Sequence, residues 1–168
     1  MQTWRRTLRH LWLDAGDARR ALTPSGLKRL EEAVRQSEIH HRGELRLCVE
    51  ASLPLPLLWR GMSARQRAIE VFSRLRVWDT AQNNGVLIYL LLADRRIEII
   101  ADRGLSEHVS KAQWQAMADT LGTQLAQGAF EQGMRGAIAE VDALLRQHFP
   151  AHQHELDVNE LPDAVVLM

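Results

Sequence analysis

The spacing of apolar and polar positions changes along the chain, and each change marks an element. The most informative stretch is residues 83–105, NNGVLIYLLLADRRIEIIADRGL. From Gly85 to Leu92 it is almost purely apolar, yet far shorter than the about 20 residues a membrane span needs, so it reads as a buried strand. A polar Asp94-Arg95-Arg96 turn follows, then a second β-branched run, Ile97 to Ala101, interrupted by Glu98. Strands joined this closely pair antiparallel, which predicts a hairpin at the centre of a sheet.

Upstream, Trp4, Leu8, Leu11 and Trp12 fall on one face if residues 3–13 are helical, with Arg5, Arg6 and Arg9 on the flank. Such an amphipathic segment either lies on the domain or makes a weak membrane-surface contact. Thr23-Pro24 has the form of a helix start, Thr23 as N-cap and Pro24 at the first helical position, with Leu27, Leu30 and Val34 facing inward. Residues 44–50 alternate polar and apolar and predict a first strand, closed by a Pro54-x-Pro56 loop. Ser63 to Gln66 has capping-box spacing, and Ala68, Ile69, Phe72 and Leu75 form the inner face of the helix it starts. A helix between the first strand and the Gly85 strand is a β-α-β crossover, so those strands should be parallel. Ser110 to Gln113 repeats the capping box ahead of Trp114, Met117, Ala118, Leu121 and Leu125, with Gly128 as a stop. Phe130 to Leu145 carries the stripe of a last long helix, ending near His148-Phe149-Pro150. These elements predict a single-domain α/β/α sandwich: a small mixed sheet, parallel β-α-β plus an antiparallel hairpin, with helices on both faces. We divide the chain into an amphipathic segment (1–16), a domain (17–150) and an acidic tail (151–168) that is mobile or docks locally.

Composition narrows the possibilities. At 168 residues the chain is long enough to bury a core without clamps. Its 21 basic and 21 acidic residues balance, so nothing global draws it to nucleic acid, and no nucleic-acid partner is expected. The lone cysteine, Cys48, sits in a strand-like apolar run, which excludes an internal disulfide framework and suits a reducing compartment. With no transmembrane segment and no export signal in the sequence, a cytoplasmic location is expected.

The ordered motifs resemble a known family. Asp17 lies six residues before Thr23; Asn84-Gly85-Val86-Leu87 opens the central strand; Arg95-Arg96-Ile97 leads into the returning strand; Gly104-Leu105 makes the corner; Gly128-x-Phe130-x-x-Gly133 joins the closing helices. From about Asp17 to Phe149 this is similar to the TPM domain, a family that includes thylakoid-lumen proteins of photosystem II repair, a nematode receptor modulator and many bacterial proteins. Two departures stand out. Relatives usually carry an export signal and often a membrane helix, and their corner commonly reads Gly-x-Gly-Leu-Glu where this chain has residues 102–107 as DRGLSE.

Within that architecture, Asp79 enters the central strand and Asp102 leaves its antiparallel partner, which puts both at one edge of the sheet, where Asp17 could join them. Three carboxylates with Asn83 or Asn84 suit a hard cation, Ca²⁺ or Mg²⁺. The resemblance implies the same: this end of the fold is associated in the family with calcium binding and with an acid-phosphatase activity proposed for plant members. The alternative is that Asp79 and Asn84 are turn residues, Asp102 pairs with Arg103 or Arg96, and Asp17 is solvated. Trp78, Asn83, Asn84, Arg103 and Glu107 are the candidate ligand- or partner-binding residues at this edge, with Trp78 able to stack a ligand or anchor a protein. Arg95, Arg96 and Arg103 either bind phosphate or form ordinary charged surface. His148, His152 and His154 with Glu155 and Asp157 have ligand types for zinc or nickel, although Pro150 breaks the helix between the first two. His40-His41 sit where helix-end carbonyls would receive them. No Cys-x5-Arg, Asp-x-Asp or Ser-His-Asp arrangement accompanies them. The expectation is therefore a non-catalytic cation- or partner-binding module of regulatory or assembly type, with a weak divalent-metal-dependent phosphatase as the alternative.

Overall fold

A computed structural model describes residues 2–13, 16, 20–151 and 159–168, with side chains of the first helix from Arg6 onward. In chain order the elements are α1 (Gln2–Trp12), α2 (Pro24–Glu38), β1 (Leu45–Glu50), α3 (Leu55–Trp59), α4 (Ala64–Arg74), β2 (Val86–Leu91), β3 (Arg96–Ala101), α5 (Arg103–Ser106), α6 (Lys111–Ala126), α7 (Phe130–His148) and β4 (Val166–Leu167). The sheet order is β3-β2-β1-β4; β1 runs parallel to β2 and β4, and β2 antiparallel to β3.

Alternation along the strands divides the core into two layers. Leu47, Val49, Ile88, Leu90, Ile97 and Ile99 meet α2, α6 and α7 on one face. On the other, Cys48, Leu87, Tyr89, Leu91 and Ile100 meet α3 and α4. Covering both faces explains why every residue of β2 is buried and why its sequence shows no polar alternation. Starts are set locally: Thr23 accepts from the Gly26 amide, and Ser63/Gln66 and Ser110/Gln113 both form complete capping boxes. The expected Gly128 stop has φ +79°, a left-handed turn that glycine adopts without Cβ strain.

The structure changes or completes four local readings. Ile69 is half exposed, because the α4 stripe runs Ala64, Ala68, Val71, Phe72 and turns Arg67 inward instead. Glu44 and Glu50, polar positions of the alternating 44–50 stretch, are both buried. The Pro54-x-Pro56 loop and the Gly104-Leu105 corner each contain a short helix, α3 and α5. Finally, of the two alternatives for the tail, residues 159–168 dock: Glu44 accepts hydrogen bonds from the Glu160 and Leu161 amides, and β4 pairs with Cys48 and Val49 of β1.

Candidate functional site

The expected edge lies where the chain enters β2 and leaves β3. Glycine is required here by space. A Cβ on Gly85 would lie 1.9 Å from the Val77 carbonyl oxygen, and one on Gly104 would lie 2.6 Å from that of Asn83. These approaches let the Asp102 amide donate to Gly85 O (2.9 Å) and the Gly104 amide donate to Asn83 O (2.9 Å), clamping the loop before β2 onto the start of α5. Asn83 holds φ +53°, a left-handed conformation that asparagine tolerates better than most residues.

The predicted residues meet different fates at this edge. Asn83 Oδ1 accepts from the Arg103 guanidinium at 2.8 Å. Asn84 is fully buried; its side-chain amide donates to Arg42 O at 2.6 Å, and its backbone N–H donates to Thr80 Oγ1. Asp102 is the N-cap of α5, with Oδ1 accepting from the Arg103 amide at 2.7 Å, so the alternative of an ion pair with Arg103 or Arg96 gives way to backbone capping. Asp79 is exposed, its amide donating to Arg76 O, and among the described residues no hydrogen bond or ion pair links it to Asp102. Trp78 is half exposed, and Arg103 and Glu107 are exposed. Asp17 lies outside the described residues, as do His152, His154, Glu155 and Asp157 and the side chain of Trp4.

Two acceptors at this edge, Asn84 Oδ1 and Asp102 Oδ2, are buried without a hydrogen-bond partner. They flank one backbone bond, Asp102 N–H to Gly85 O. An orphaned buried acceptor costs about 1–3 kcal/mol, so two of them on the neighbouring segments of this edge, one before β2 and one after β3, call for an explanation. The other orphans differ. His41 Nε2 and Asp142 Oδ1 stand 3.7 Å apart, and because His41 Nδ1 accepts from the Gly43 amide, Nε2 carries the proton and already points at the carboxylate. Burial pulls His41 down to about 4, so the ring is neutral. His40 and His41 therefore both approach Asp142 with their side chains, in place of the helix-end carbonyls expected of them. Gln124 Oε1, the remaining orphan, lies away on α6. Among the described residues no group of three or more His, Cys, Asp or Glu is placed to hold a metal ion. A cation at the edge would thus take Asp102 or the Asn84 amide oxygen together with backbone or water oxygens, hard donors suited to Ca²⁺ or Mg²⁺. His148 stacks on the ring of His108, with centroids 4.7 Å apart, and His108 meets Phe149 edge-on.

Sequence reasoning missed two charged clusters, because both join residues far apart in the chain. Glu50 receives Arg67 through Nε (2.9 Å) and NH2 (2.8 Å) and the Tyr89 hydroxyl (2.6 Å), all beneath α4. Burial, with Glu50 alongside, pushes Tyr89 far above the usual phenol range. At the other end of β2, Asp94 takes Arg6 and His10 from α1. Its burial opposes ionisation, yet those hydrogen bonds hold the carboxyl well below the usual range. Cys48 is buried as expected, and burial pushes its thiol up to about 12, which makes it a poor nucleophile. Arg95, at φ +50° in the hairpin turn, and Arg96 are exposed.

The sequence matches the TPM domain over residues 16–144. The fold is similar to the NMR structure of the BA42 protein from the psychrophilic bacterium Bizionia argentinensis, at 30% identity and a TM-score of 0.74, covering 86% of this chain and 94% of that one. A search of curated proteins gave no match. Among the described residues no helix is long and apolar enough to cross a membrane. The Asn84-Gly85-Val86-Leu87 and Gly104-Leu105 motifs form the clamped edge of a sheet covered on both faces, the match spans most of the chain, and the protein belongs to the TPM domain family.

Proposed function

We propose that the chain is a non-catalytic TPM module whose clamped loop edge binds a divalent cation, Ca²⁺ or Mg²⁺, and through it serves a regulatory or assembly role. The observation that carries this reading is that two buried acceptors at this edge, Asn84 Oδ1 before β2 and Asp102 Oδ2 after β3, are unpartnered beside two close glycine approaches. Asp79 and Asp17 are the carboxylates proposed to complete the oxygen set. Exposed Trp78, Arg103 and Glu107 beside the edge offer a protein partner one aromatic anchor and charges of both signs. Phosphate-ester hydrolysis, the alternative, requires an activated nucleophile and fixed positive charge at the transferring group. Neither the buried Cys48 thiol nor the Glu50-bound Tyr89 hydroxyl supplies the first, so a divalent-metal-dependent hydrolase would have to use water activated by the metal.

The test is a thermal melt in EDTA against millimolar Ca²⁺ or Mg²⁺, with Asp102→Asn and Asp79→Asn. Asn at 102 retains an oxygen for the α5 cap while losing the charge. A cation at a hundred times its Kd adds about 2.7 kcal/mol, or roughly 5–10 °C for a chain of this size. A Ca²⁺- or Mg²⁺-dependent rise abolished by Asp102→Asn supports the reading; no rise with either ion leaves partner binding alone. Turnover of a phosphate ester lost in Asp102→Asn at unchanged stability would instead establish the hydrolytic alternative.

A further inference from the structure

Helix α1 is docked the unusual way round. Arg6 and His10, one turn apart, form its inner face. The Arg6 guanidinium donates to both oxygens of Asp94 and to Met62 O (2.8 Å). His10 Nδ1 accepts the Leu53 amide (2.9 Å), so Nε2 carries the proton that reaches Asp94 at 3.1 Å. With the polar face bound to the domain, the apolar face points to solvent: Leu8 is exposed, Leu11 is 56% exposed and Trp12 83% exposed. These three residues share one side of the helix, opposite Arg6 and His10. Between Leu53 and Met62, the two positions α1 grips, lies α3, whose Trp59 is 76% exposed.

The flank of this face is basic. Residues 1–13 contain no acidic side chain. A cleft of about 410 Å³ runs between α1, the N-terminal end of α4 and the start of β3, and Arg6, Arg9, Arg65 and Arg96 line it against only Asp94 and Glu98. Asp94 is already occupied by Arg6, and Arg65 approaches Glu98 at 3.6 Å. Arg9 reaches Asp94 only at 3.9 Å, and Arg96 forms no ion pair among the described residues. An overall neutral chain therefore sets four arginines against two carboxylates on the flank of the helix that exposes Leu8, Leu11 and Trp12.

We infer that this face is a peripheral membrane-binding surface, taking an anionic phospholipid bilayer: Leu8, Leu11 and Trp12 enter the headgroup boundary, and Arg9 and Arg96 meet lipid phosphates. Tryptophan at the interface, an apolar stripe and flanking arginines are the features such contacts require. Charge complementarity selects this occupant over a second copy of the chain, because two identical faces would oppose arginine to arginine.

The experiment is flotation of the protein with vesicles of phosphatidylcholine alone or mixed with phosphatidylglycerol, at low and high salt. The panel is wild type, Leu11→Glu with Trp12→Glu, and Arg9→Glu with Arg96→Glu. Sedimentation equilibrium of each, without lipid, runs in parallel. All these positions are exposed, and near-wild-type melting temperatures confirm the fold; the salt dependence of the wild type and a single Trp12→Ala change serve where a double variant does not fold. The expected result is binding to anionic vesicles only, weakened by salt and reduced about tenfold or more by either pair of changes. The inference is overturned by absence of wild-type binding, by equal binding to neutral vesicles, or by binding indifferent to both pairs. It is equally overturned if the wild type is a dimer that Leu11→Glu with Trp12→Glu turns into a monomer, because the face is then occupied by its own copy.

Discussion

Replacing Gly85 by alanine tests the geometry of the loop edge most directly. The added Cβ would lie 1.9 Å from Val77 O and 3.0 Å from Val77 C, where ordinary contact begins at 3.4 Å. The obstacle is backbone, so no side-chain rotation relieves it. Nor can the backbone move freely: the Val77 amide is bonded to Phe72 O, Val77 is fully buried, and Gly85 O accepts from Asp102. Gly85 does not have positive φ, so the whole cost is steric. Overpacking ordinarily costs about 1–3 kcal/mol, and a rigid backbone obstacle puts this case at about 3 or more, a large part of the about 5–15 kcal/mol that holds a domain together. Gly104→Ala, 2.6 Å from Asn83 O and 2.8 Å from Gln82 O, should cost less. Gly122, inside α6 with nothing within 4 Å of its ideal Cβ, is the control: alanine there should stabilise by about 0.5–1 kcal/mol. Urea unfolding followed by circular dichroism gives the three differences, with a common m-value showing that only stability has changed. A Gly85→Ala protein within about 0.5 kcal/mol of wild type would refute the close approach, and with it the clamped loop on which the cation proposal depends.

Two further outcomes follow from the buried charges. Glu50→Gln leaves the Arg67 guanidinium buried with Glu70 as its remaining carboxylate among the described residues, and should cost about 3 kcal/mol, whereas Tyr89→Phe removes one hydrogen bond for about 1; urea midpoints for both check the ranking. Burial raises Glu38 to about 8, helped by Glu44 and Asp163 beside it, so the folded state favours its protonated form and stability falls as pH rises from the ordinary carboxylate value through about 8. Glu38→Gln, which keeps an acceptor for the Leu45 amide, should remove that alkaline loss and match wild type near pH 4; an unchanged alkaline slope would show that Glu38 is ionised in the fold.

The fold was legible wherever a signal is local. The Thr23, Ser63 and Ser110 caps depend on residues three apart, and the β2–β3 hairpin on one turn, so each element could be read from a few neighbours. What escaped depends on distant partners. Two residues, Val166 and Leu167, are too short a run to signal a strand, and become one only because the Cys48–Val49 backbone is open on that side. Alternation marks Glu44 and Glu50 as polar positions but cannot show that docked tail amides would hydrogen-bond the first, or that Arg67 would pair with the second, inside the fold. The amphipathic character of α1 was plain, but which face it buries was decided by Asp94, some 84 residues away from His10. At the candidate site, the Asn-Gly motif and Asp102 were found from their positions in a hairpin; the capping of α5, beside the Gly104 approach, and the burial of Asn84, held by Thr80 and the distant Arg42 carbonyl, were not.

The two proposed surfaces lie at opposite ends of β2, and this makes them independently testable. Asn84 precedes the strand and Asp94 follows it, so about six strand residues at about 3.3 Å each put roughly 20 Å between them. At that distance and in physiological salt, direct charge coupling between a bound cation and the α1 arginines is screened. Asp102→Asn should therefore leave vesicle binding intact, and Trp12→Glu should leave any cation-dependent rise in melting temperature intact. If occupying one end changes affinity at the other, the effect must be reciprocal and must travel through the sheet. The paired register of β1, β2 and β3 and the docked α4 tie the sheet together through hydrogen bonds and core packing that any switch would have to break. A measured coupling would thus contradict the rigid strand that joins the two ends, whichever of the two binding proposals survives.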